Sequence, residues 1–138
     1  MDQTQNNTQN AIFSNNSVQI NKTHFESREE NLYYDGVYDI DPHELYRKLG
    51  QVCLIDVRQP DEFNGDLGHI PKAKLMVLDQ LQEHLAELPN DQTIVFICRS
   101  GGRSAKAAEL ALRHGIKDIF NLKGGMILWN ELHYTTEA

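Results

Sequence analysis

The segment from Cys98 to Ser104, Cys-Arg-Ser-Gly-Gly-Arg-Ser, contains the residue types with the clearest chemical use in the chain. It follows an apolar run and precedes a segment with helical periodicity. Cys98 therefore faces a helix N-terminus, whose positive end stabilises a thiolate. Arg99 and Arg103 add positive charge that favours the same ionised form. Because the thiolate is the nucleophilic form, we expect Cys98 to attack sulfur, phosphorus or arsenic centres.

The middle of this segment suits an anion. Gly101 and Gly102 have no side chains where the loop must curl, and a curled run of backbone N–H groups forms an anion-binding nest. Ser100 and Ser104 can add hydroxyl donors, and Ser104 can also cap the following helix. The alternative is a glycine-rich turn beside a buried, inert cysteine. We favour chemistry, because one cysteine, two arginines and two glycines coincide between a strand and a helix.

The composition excludes several classes of protein. The 138 residues suffice for one domain with a short tail. Thirteen basic and twenty acidic residues give a formal net charge of −7, which argues against a nucleic-acid or anionic-membrane partner. Two cysteines without CxxC spacing predict neither a disulfide scaffold nor a zinc finger, and the histidines form no metal-like cluster. No apolar run has the length of a membrane span and no secretory signal is recognisable, so we expect a cytoplasmic protein.

Residues 1–35 differ from the rest of the chain. They are rich in Asn, Gln, Ser and Thr, and their isolated apolar residues follow neither a helical nor a strand period. This pattern predicts a flexible polar tail ahead of a domain over residues 36–138. The alternative is an interaction arm that docks Ile12-Phe13 or Leu32-Tyr33-Tyr34 on a partner or on the domain itself.

Helical and apolar segments alternate along the domain. Asp41, Pro42 and Glu44 are typical of a helix N-terminus, and Gly50 of its end. Apolar runs predict buried strands at 52–57, 74–78, 93–97 and 118–122, with helices at 79–88, at 104–114 and after 125. This order indicates an α/β fold of three layers, a mainly parallel central sheet with helices on both faces. The loop after Ile97 lies at the carboxyl end of a strand, where such folds have their sites.

Three segments resemble signatures of the single-domain rhodanese-like family, and the resemblance covers about residues 38–132. Residues 56–63 and 68–73 resemble DVR-x-x-x-EF…GHIPGA, residues 98–104 resemble the CRSG-x-RS loop, and residues 124–129 resemble GG-x-x-x-W. The three occur in the family's order and spacing. One position departs, because Lys72 stands on a connecting turn where the family commonly has glycine, and this leaves the shape of that turn open.

The resemblance implies a rhodanese-like fold and a sulfurtransferase of the thiosulfate:cyanide type without metal or organic cofactor. Cys98 would take the outer sulfur of thiosulfate or a similar anionic donor as a persulfide and pass it to a thiol, cyanide or a protein acceptor. The amides of the loop, with its residues Ser100, Gly101, Gly102 and Ser104, would cradle the persulfide, and Arg99 and Arg103 would hold the donor. The resemblance also implies that Asp56, Arg58 and His69 support the site structurally, and Glu62 is the expected partner of Arg58.

The length of the loop bears on the alternatives. Four residues separate Cys98 from Arg103, whereas phosphatases and arsenate reductases of related architecture resemble a pattern one residue longer, which fits a tetrahedral anion. A phosphatase-like or arsenate-reducing enzyme is therefore a minor alternative. The other alternative is a persulfide carrier or docking module that serves a specific protein partner.

Cys53 is a second candidate for redox chemistry, but we expect it to be a small core residue. It starts a strand whereas Cys98 follows the end of one, so a parallel sheet would separate them. Met126 and Trp129, at helical spacing, are expected in the core.

Overall fold

The fold is built on one central sheet. The computed structural model describes residues 22–138. The strands in this range are β1 (Glu29–Glu30), β2 (Tyr38–Ile40), β3 (Val52–Asp56), β4 (Lys74–Leu75), β5 (Thr93–Ile97) and β6 (Ile119–Leu122). The helices are α1 (Pro42–Arg47), α2 (Pro60–Phe63), α3 (Leu78–His84), α4 (Gly102–Arg113) and α5 (Gly125–Glu131), with 3-10 turns at Leu49–Gln51 and Leu85–Glu87. Within 22–138, no helix is both long and apolar enough to cross a membrane.

Strand β5 shows how the layers form. It is buried along its whole length, and because side chains alternate along a strand it supplies both faces of the sheet. Ile94 and Phe96 pack into a core with residues of α3 and α4, whereas Val95 and Ile97 pack into a second core with residues of α1 and α5. The predicted three-layer α/β fold is confirmed.

The sheet order brings the ends of two central strands together. The order is β1-β2-β6-β5-β3-β4, and every neighbouring pair except β1–β2 is parallel. Asp56 at the end of β3 pairs with Ile97 at the end of β5, and the Val57 N–H extends this pairing to the Ile97 carbonyl at 2.9 Å. The residues that follow both strands therefore lie at one edge of the sheet, as the sequence predicts.

Three short elements are absent from the sequence prediction. β1 consists of two exposed glutamates and β2 of three residues, so neither contains an apolar run that indicates a strand. Helix α2 has one turn, but it begins with a recognisable signal. Pro60 occupies its first turn, and the Glu62 carboxylate accepts the Gln59 N–H at 3.0 Å, as in a capping box.

The segment 22–35 packs against the domain, although the sequence assigns it to the tail. Phe25 is fully buried, and its ring contacts Phe120 edge to face at 5.2 Å between centroids. β1 adds an antiparallel edge strand to β2. The packed chain thus begins ahead of residue 36, because a buried aromatic side chain and an edge strand anchor a polar segment. Ile12-Phe13 lies outside the described residues.

Helix α1 begins as predicted at one residue and differently at another. Asp41 is the N-cap, and its carboxylate accepts the His43 N–H at 2.8 Å. Glu44 accepts instead from the backbone N–H groups of Glu26 and Ser27, at 3.0 and 2.9 Å, and from Lys48. Burial opposes ionisation of Glu44, but these donors outweigh it and lower its pKa to about 2. Glu44 therefore fastens the N-terminal segment.

Lys72 has a left-handed backbone conformation in its turn. Lys72 has φ of 72°, and the Ala73 N–H donates to the Ile70 carbonyl at 3.0 Å across the turn. Pro71 in the second position and a positive φ in the third are typical of a type II turn, which favours glycine in the third position. Lys72 adopts the same conformation at some cost in backbone strain.

Candidate active site

Cys98 lies directly after β5 and is almost fully buried, with 1% of its surface exposed. Its Sγ accepts a hydrogen bond from the Gly101 N–H at 3.0 Å and lies 3.2 Å from Ser104 Oγ. Gly101 has φ of 106°, which curls the loop around the sulfur. The residues between Cys98 and α4 therefore wrap around the thiol.

The N-terminus of α5 fixes the other side of the loop. The Met126 N–H donates to the Cys98 carbonyl at 2.9 Å, and the Ile127 N–H donates to the Arg99 carbonyl at 3.0 Å. A Cβ on Gly125 would lie 2.5 Å from both carbonyl oxygens, so only glycine permits this approach. Gly125, the first residue of α5, thus allows the first turn of this helix to bind both loop carbonyls.

The backbone amides of the loop are available to a ligand. Within residues 22–138, no protein group accepts from the N–H groups of Arg99, Ser100, Gly102 or Arg103. The last two open α4, where N–H groups have no partner inside the helix and the helix dipole is positive. The arrangement is that of an anion-binding cradle next to a cysteine.

Asp56 and Arg58 form a buried ion pair beside the loop. Arg58 Nε and Nη2 donate to the two carboxylate oxygens at 2.9 and 2.8 Å, and both residues have no exposed surface. The same guanidinium donates to the carbonyls of Glu62 at 3.2 Å and Gly68 at 2.8 Å. Arg58 thereby joins the end of β3, helix α2 and the segment that leads to His69, and its support of the site stays a prediction.

The partner of Glu62 is Arg103, and the expected pair with Arg58 is wrong. Arg103 Nη1 and Nη2 donate to the two Glu62 carboxylate oxygens, each at 2.8 Å. Arg58 reaches only the backbone carbonyl of Glu62, because its side chain is already committed to Asp56. The hydrogen bonds from Arg103 lower the pKa of Glu62 to about 2, and the Glu62 carboxylate raises the pKa of Arg103.

Arg99 occupies a different position from Arg103. It is exposed and lines a shallow depression of about 190 Å³ together with Arg58, Glu62 and the exposed carboxylates Asp61 and Asp66. The two arginines of the loop therefore differ, because Arg103 is held by a carboxylate whereas Arg99 faces the solvent.

His69 is buried and fully engaged. Its Nδ1 lies 2.8 Å from the Phe63 carbonyl, its ring stacks on the Phe63 ring at 3.7 Å between centroids, and its backbone pairs with Glu137 in both directions. These contacts hold His69 between α2 and the C-terminal segment, and its support of the site stays a prediction.

Cys53 lies on β3 away from the loop. It pairs in register with Ile94 near the start of β5, whereas Cys98 follows the end of that strand. Cys53 is half-buried, and this burial raises the pKa of its thiol. It is therefore poorly placed to react with Cys98. Met126 and Trp129 are fully buried in the core, as predicted.

Sequence reasoning missed Asn121 and Asp39. Asn121, on β6, is 2% exposed and hydrogen-bonds to Ser104. Ser104 does not cap α4 as predicted, because Gly101 is the N-cap of that helix. Asn121 Nδ2 also donates to Asp39 Oδ1 at 2.9 Å and to the Gly101 carbonyl at 3.2 Å. The only sequence signal was a polar residue inside an apolar strand.

The comparisons with known proteins agree with this geometry. The family model described as "Rhodanese-like domain" matches residues 41–132, which include the Cys98 loop, both ion pairs and helix α5. The chain belongs to the rhodanese-like family. A sulfurtransferase of Allochromatium vinosum is 34% identical over 96 residues, which cover 67% of this chain and 88% of that protein.

Two further relatives extend the family relation. The protein YqhL of Bacillus subtilis is 41% identical over 84 residues, 61% of this chain, and the match spans only 63% of the length of YqhL. The crystal structure of a rhodanese-related protein from Thermoplasma volcanium has a TM-score of 0.66 and 30% identity, and covers 70% of this chain and 94% of that one. This rhodanese-like domain therefore shares its fold with proteins called sulfurtransferases or rhodanese-related.

Proposed function

We propose that this rhodanese-like domain is a sulfurtransferase that uses Cys98 as a persulfide carrier, with thiosulfate or a similar compound as donor. The observation that carries the proposal is the cradle itself. Cys98 Sγ is held by the Gly101 N–H, and the neighbouring amides of Arg99, Ser100, Gly102 and Arg103 have no acceptor within residues 22–138. Such a cradle stabilises the negative charge of a terminal persulfide sulfur.

The reaction divides into two displacements. In the first, the Cys98 thiolate attacks the outer sulfur of thiosulfate, a new S–S bond forms, and sulfite leaves with the electron pair of the bond that breaks. In the second, an acceptor such as cyanide attacks the outer sulfur of the persulfide. Thiocyanate forms, and the Cys98 thiolate leaves with the electron pair of the S–S bond. The cycle is covalent catalysis and balances without a redox partner.

The charges around the site support an anionic donor. Arg99 is exposed at the edge of the depression, and Arg103 is 38% exposed although Glu62 holds it. Both guanidinium groups belong to the loop whose amides would bind the anion, and arginine is suited to oxyanion binding. The Asp56–Arg58 pair is fully buried, and we assign it the support of the loop.

Intact mass spectrometry tests the proposal. The reduced protein is incubated briefly with thiosulfate, and Cys98→Ser and Cys53→Ala are treated in parallel. We expect the native chain and Cys53→Ala to gain one sulfur atom, Cys98→Ser to gain none, and cyanide to remove the sulfur with release of thiocyanate. Absence of added sulfur on the native chain would contradict thiosulfate as donor, and other sulfur donors, aryl phosphates and arsenate would then be compared.

One surface favours transfer to a protein acceptor as a second candidate. Leu32 and Tyr33 are 89% and 86% exposed on a turn that Asn31 fixes, since its Oδ1 accepts the N–H groups of Tyr33 and Tyr34 at 2.9 and 3.0 Å. Tyr33 and Tyr34 also line a cavity of about 350 Å³ whose wall includes residues 100–102 of the loop. Exposed apolar side chains on a fixed turn are typical of contact surfaces.

A double variant, Leu32→Ser with Tyr33→Ser, separates the two candidates, because deletion of the whole segment would remove the buried Phe25. If the domain transfers sulfur to a protein acceptor through this turn, the variant should keep its turnover of thiosulfate with cyanide and lose transfer to a protein thiol. Equal transfer to protein and small-molecule acceptors by the variant and the native chain would exclude a docking role for this turn.

A further inference from the structure

A buried chain of polar side chains lies behind Cys98. Ser104 Oγ lies 3.2 Å from Cys98 Sγ and also hydrogen-bonds to Asn121 Oδ1. Ser104 has no exposed surface and Asn121 has 2%. A hydroxyl group has one proton, so Ser104 can donate to the sulfur or to the amide oxygen, but not to both.

The orientation of Asn121 is fixed by its other neighbours. Its Nδ2 lies 2.9 Å from Asp39 Oδ1 and 3.2 Å from the Gly101 carbonyl oxygen. A carboxylate and a carbonyl only accept, so the two N–H groups of Asn121 must face them. Asp39 Oδ1 also accepts from Asn31 Nδ2 at 3.0 Å, which holds the carboxylate in place. Asn121 Oδ1 is therefore the atom that faces Ser104.

The direction of the Ser104 hydroxyl follows from this orientation. Because Asn121 Oδ1 can only accept, the Ser104 proton points to Asn121, and the lone pairs of Ser104 Oγ point to Cys98. This arrangement accepts a hydrogen bond from the Cys98 thiol and gives none to the thiolate. When Cys98 loses its proton to water, Ser104 can stabilise the thiolate only if its O–H rotates from Asn121 to the sulfur. The buried Asn121 Oδ1 then loses its donor, which is unfavourable.

We propose that Asn121 is a positioning residue that competes with the Cys98 thiolate for the Ser104 proton, and that Asp39 holds Asn121 in the competing orientation. The competition limits how strongly the site stabilises the thiolate. The charged groups on the neighbouring elements are Arg99, the Arg103–Glu62 pair and the Asp56–Arg58 pair, and they are left unchanged in the test below. The proposal rests on the proposed function only in taking Cys98 as the reacting group.

Such a limit affects the two displacements in opposite ways. A thiolate that is stabilised by a further hydrogen bond is a weaker nucleophile, and it is also a better leaving group. Loss of Asn121 would therefore slow the loading of sulfur onto Cys98 at a pH where the thiol is fully ionised, and accelerate its release to an acceptor. A residue that merely holds the loop in shape would not change these two rates in opposite directions.

The test is the pH profile of the alkylation of Cys98 by iodoacetamide. All variants are made in a Cys53→Ala background so that one thiol reacts, and Cys98→Ser gives the blank. We expect Asn121→Ala to move the midpoint of the profile down by about one pH unit, because Ser104 becomes free to donate to the thiolate. In a Ser104→Ala background the same Asn121→Ala change should leave the midpoint where it is.

Two results of the alkylation test of Asn121→Ala overturn the proposal. One is an unchanged or higher midpoint for Asn121→Ala. The other is an equal shift with and without Ser104, which assigns the effect to the shape of the loop. If Asn121→Ala fails to fold by circular dichroism, Asn121→Leu replaces it, because leucine removes the same acceptor and fills the buried space. A downward shift is again expected, and no shift would overturn the proposal.

Alkylation needs no sulfur donor, so its outcome is independent of whether thiosulfate loads Cys98. Where loading is observed, single-turnover rates are measured at a pH above both midpoints. Asn121→Ala should load sulfur about threefold more slowly and release it to cyanide about threefold faster than the Cys53→Ala parent. A change of both rates in the same direction would contradict the competition.

Discussion

Two arginine–carboxylate pairs connect the segment after β3 to the rest of the site, and their burial differs. The Asp56–Arg58 pair has no exposed surface, and Arg58 uses further donors on the carbonyls of Glu62 and Gly68. The Glu62–Arg103 pair is bidentate as well, but its side chains are 27% and 38% exposed. The same chemical pair is thus part of the scaffold in one place and lies open to solvent in the other.

This difference has a physical consequence. A buried pair cannot exchange its partner for a ligand, because separation would leave an uncompensated charge away from water. A partly exposed pair is screened by solvent and contributes little to folding, so that its arginine can turn to an incoming anion at small cost. Burial, more than residue type, therefore separates a supporting arginine from one that is available to substrate.

The largest effect is expected from breaking the buried pair. Arg58→Met leaves the Asp56 carboxylate buried without a partner, and we expect it to lower the free energy of unfolding by about 3–5 kcal/mol. Urea denaturation at neutral pH measures the change. The matched control is Arg113→Met, since Arg113 is 74% exposed in its pair with Glu109, and it should change stability by less than about 0.5 kcal/mol. Similar losses in both variants would remove the distinction between the pairs.

A smaller effect, on binding, is expected from opening the exposed pair. Glu62→Gln releases the Arg103 guanidinium, and we expect the KM for thiosulfate to fall about threefold, in line with the strength of a partly exposed ionic interaction. Steady-state thiocyanate formation measures it. Asp61→Asn removes a neighbouring exposed negative charge without touching Arg103, so an equal fall in that variant would assign the effect to net charge. The gain should also vanish when Arg103→Met is added.

The smallest effect is expected in the pH dependence of stability at acidic pH. The pKa of Glu62 is lowered from its ordinary value of 4.5 to about 2. A carboxylate whose pKa is lowered by folding stabilises the folded state fully at a pH above its ordinary pKa. This contribution is lost as the pH falls from 4.5 towards 2. The difference in unfolding free energy between the native chain and Glu62→Gln should therefore stay constant above pH 5 and shrink below pH 4.5. A difference independent of pH across this range would show that the ionised pair does not contribute.

The contacts of the site were only partly predictable from the sequence. The order of buried strands and helices placed Cys98 at the carboxyl edge of the sheet, because strand burial and helix caps are local signals. The predicted partner of Glu62 was wrong. In the sequence Arg58 and Arg103 are equal candidates, and only the fold shows that Asp56 already binds the guanidinium of Arg58. Phe25 likewise gave no local signal, because one aromatic residue in a polar segment has no periodicity.

The sequence by itself determined the α/β architecture and the family, and it singled out Cys98 as the candidate nucleophile, because all three depend on residue type and short-range spacing. Tertiary structure alone decided which charges are buried and which loop amides lack an acceptor among residues 22–138. It also decided that Asn121 and Asp39 lie behind Ser104, although they are 17 and 65 positions away from it in the sequence. The physical reason is that a hydrogen bond depends on distances of about 3 Å between atoms, and parallel pairing of strands brings together residues whose separation along the chain has no pattern.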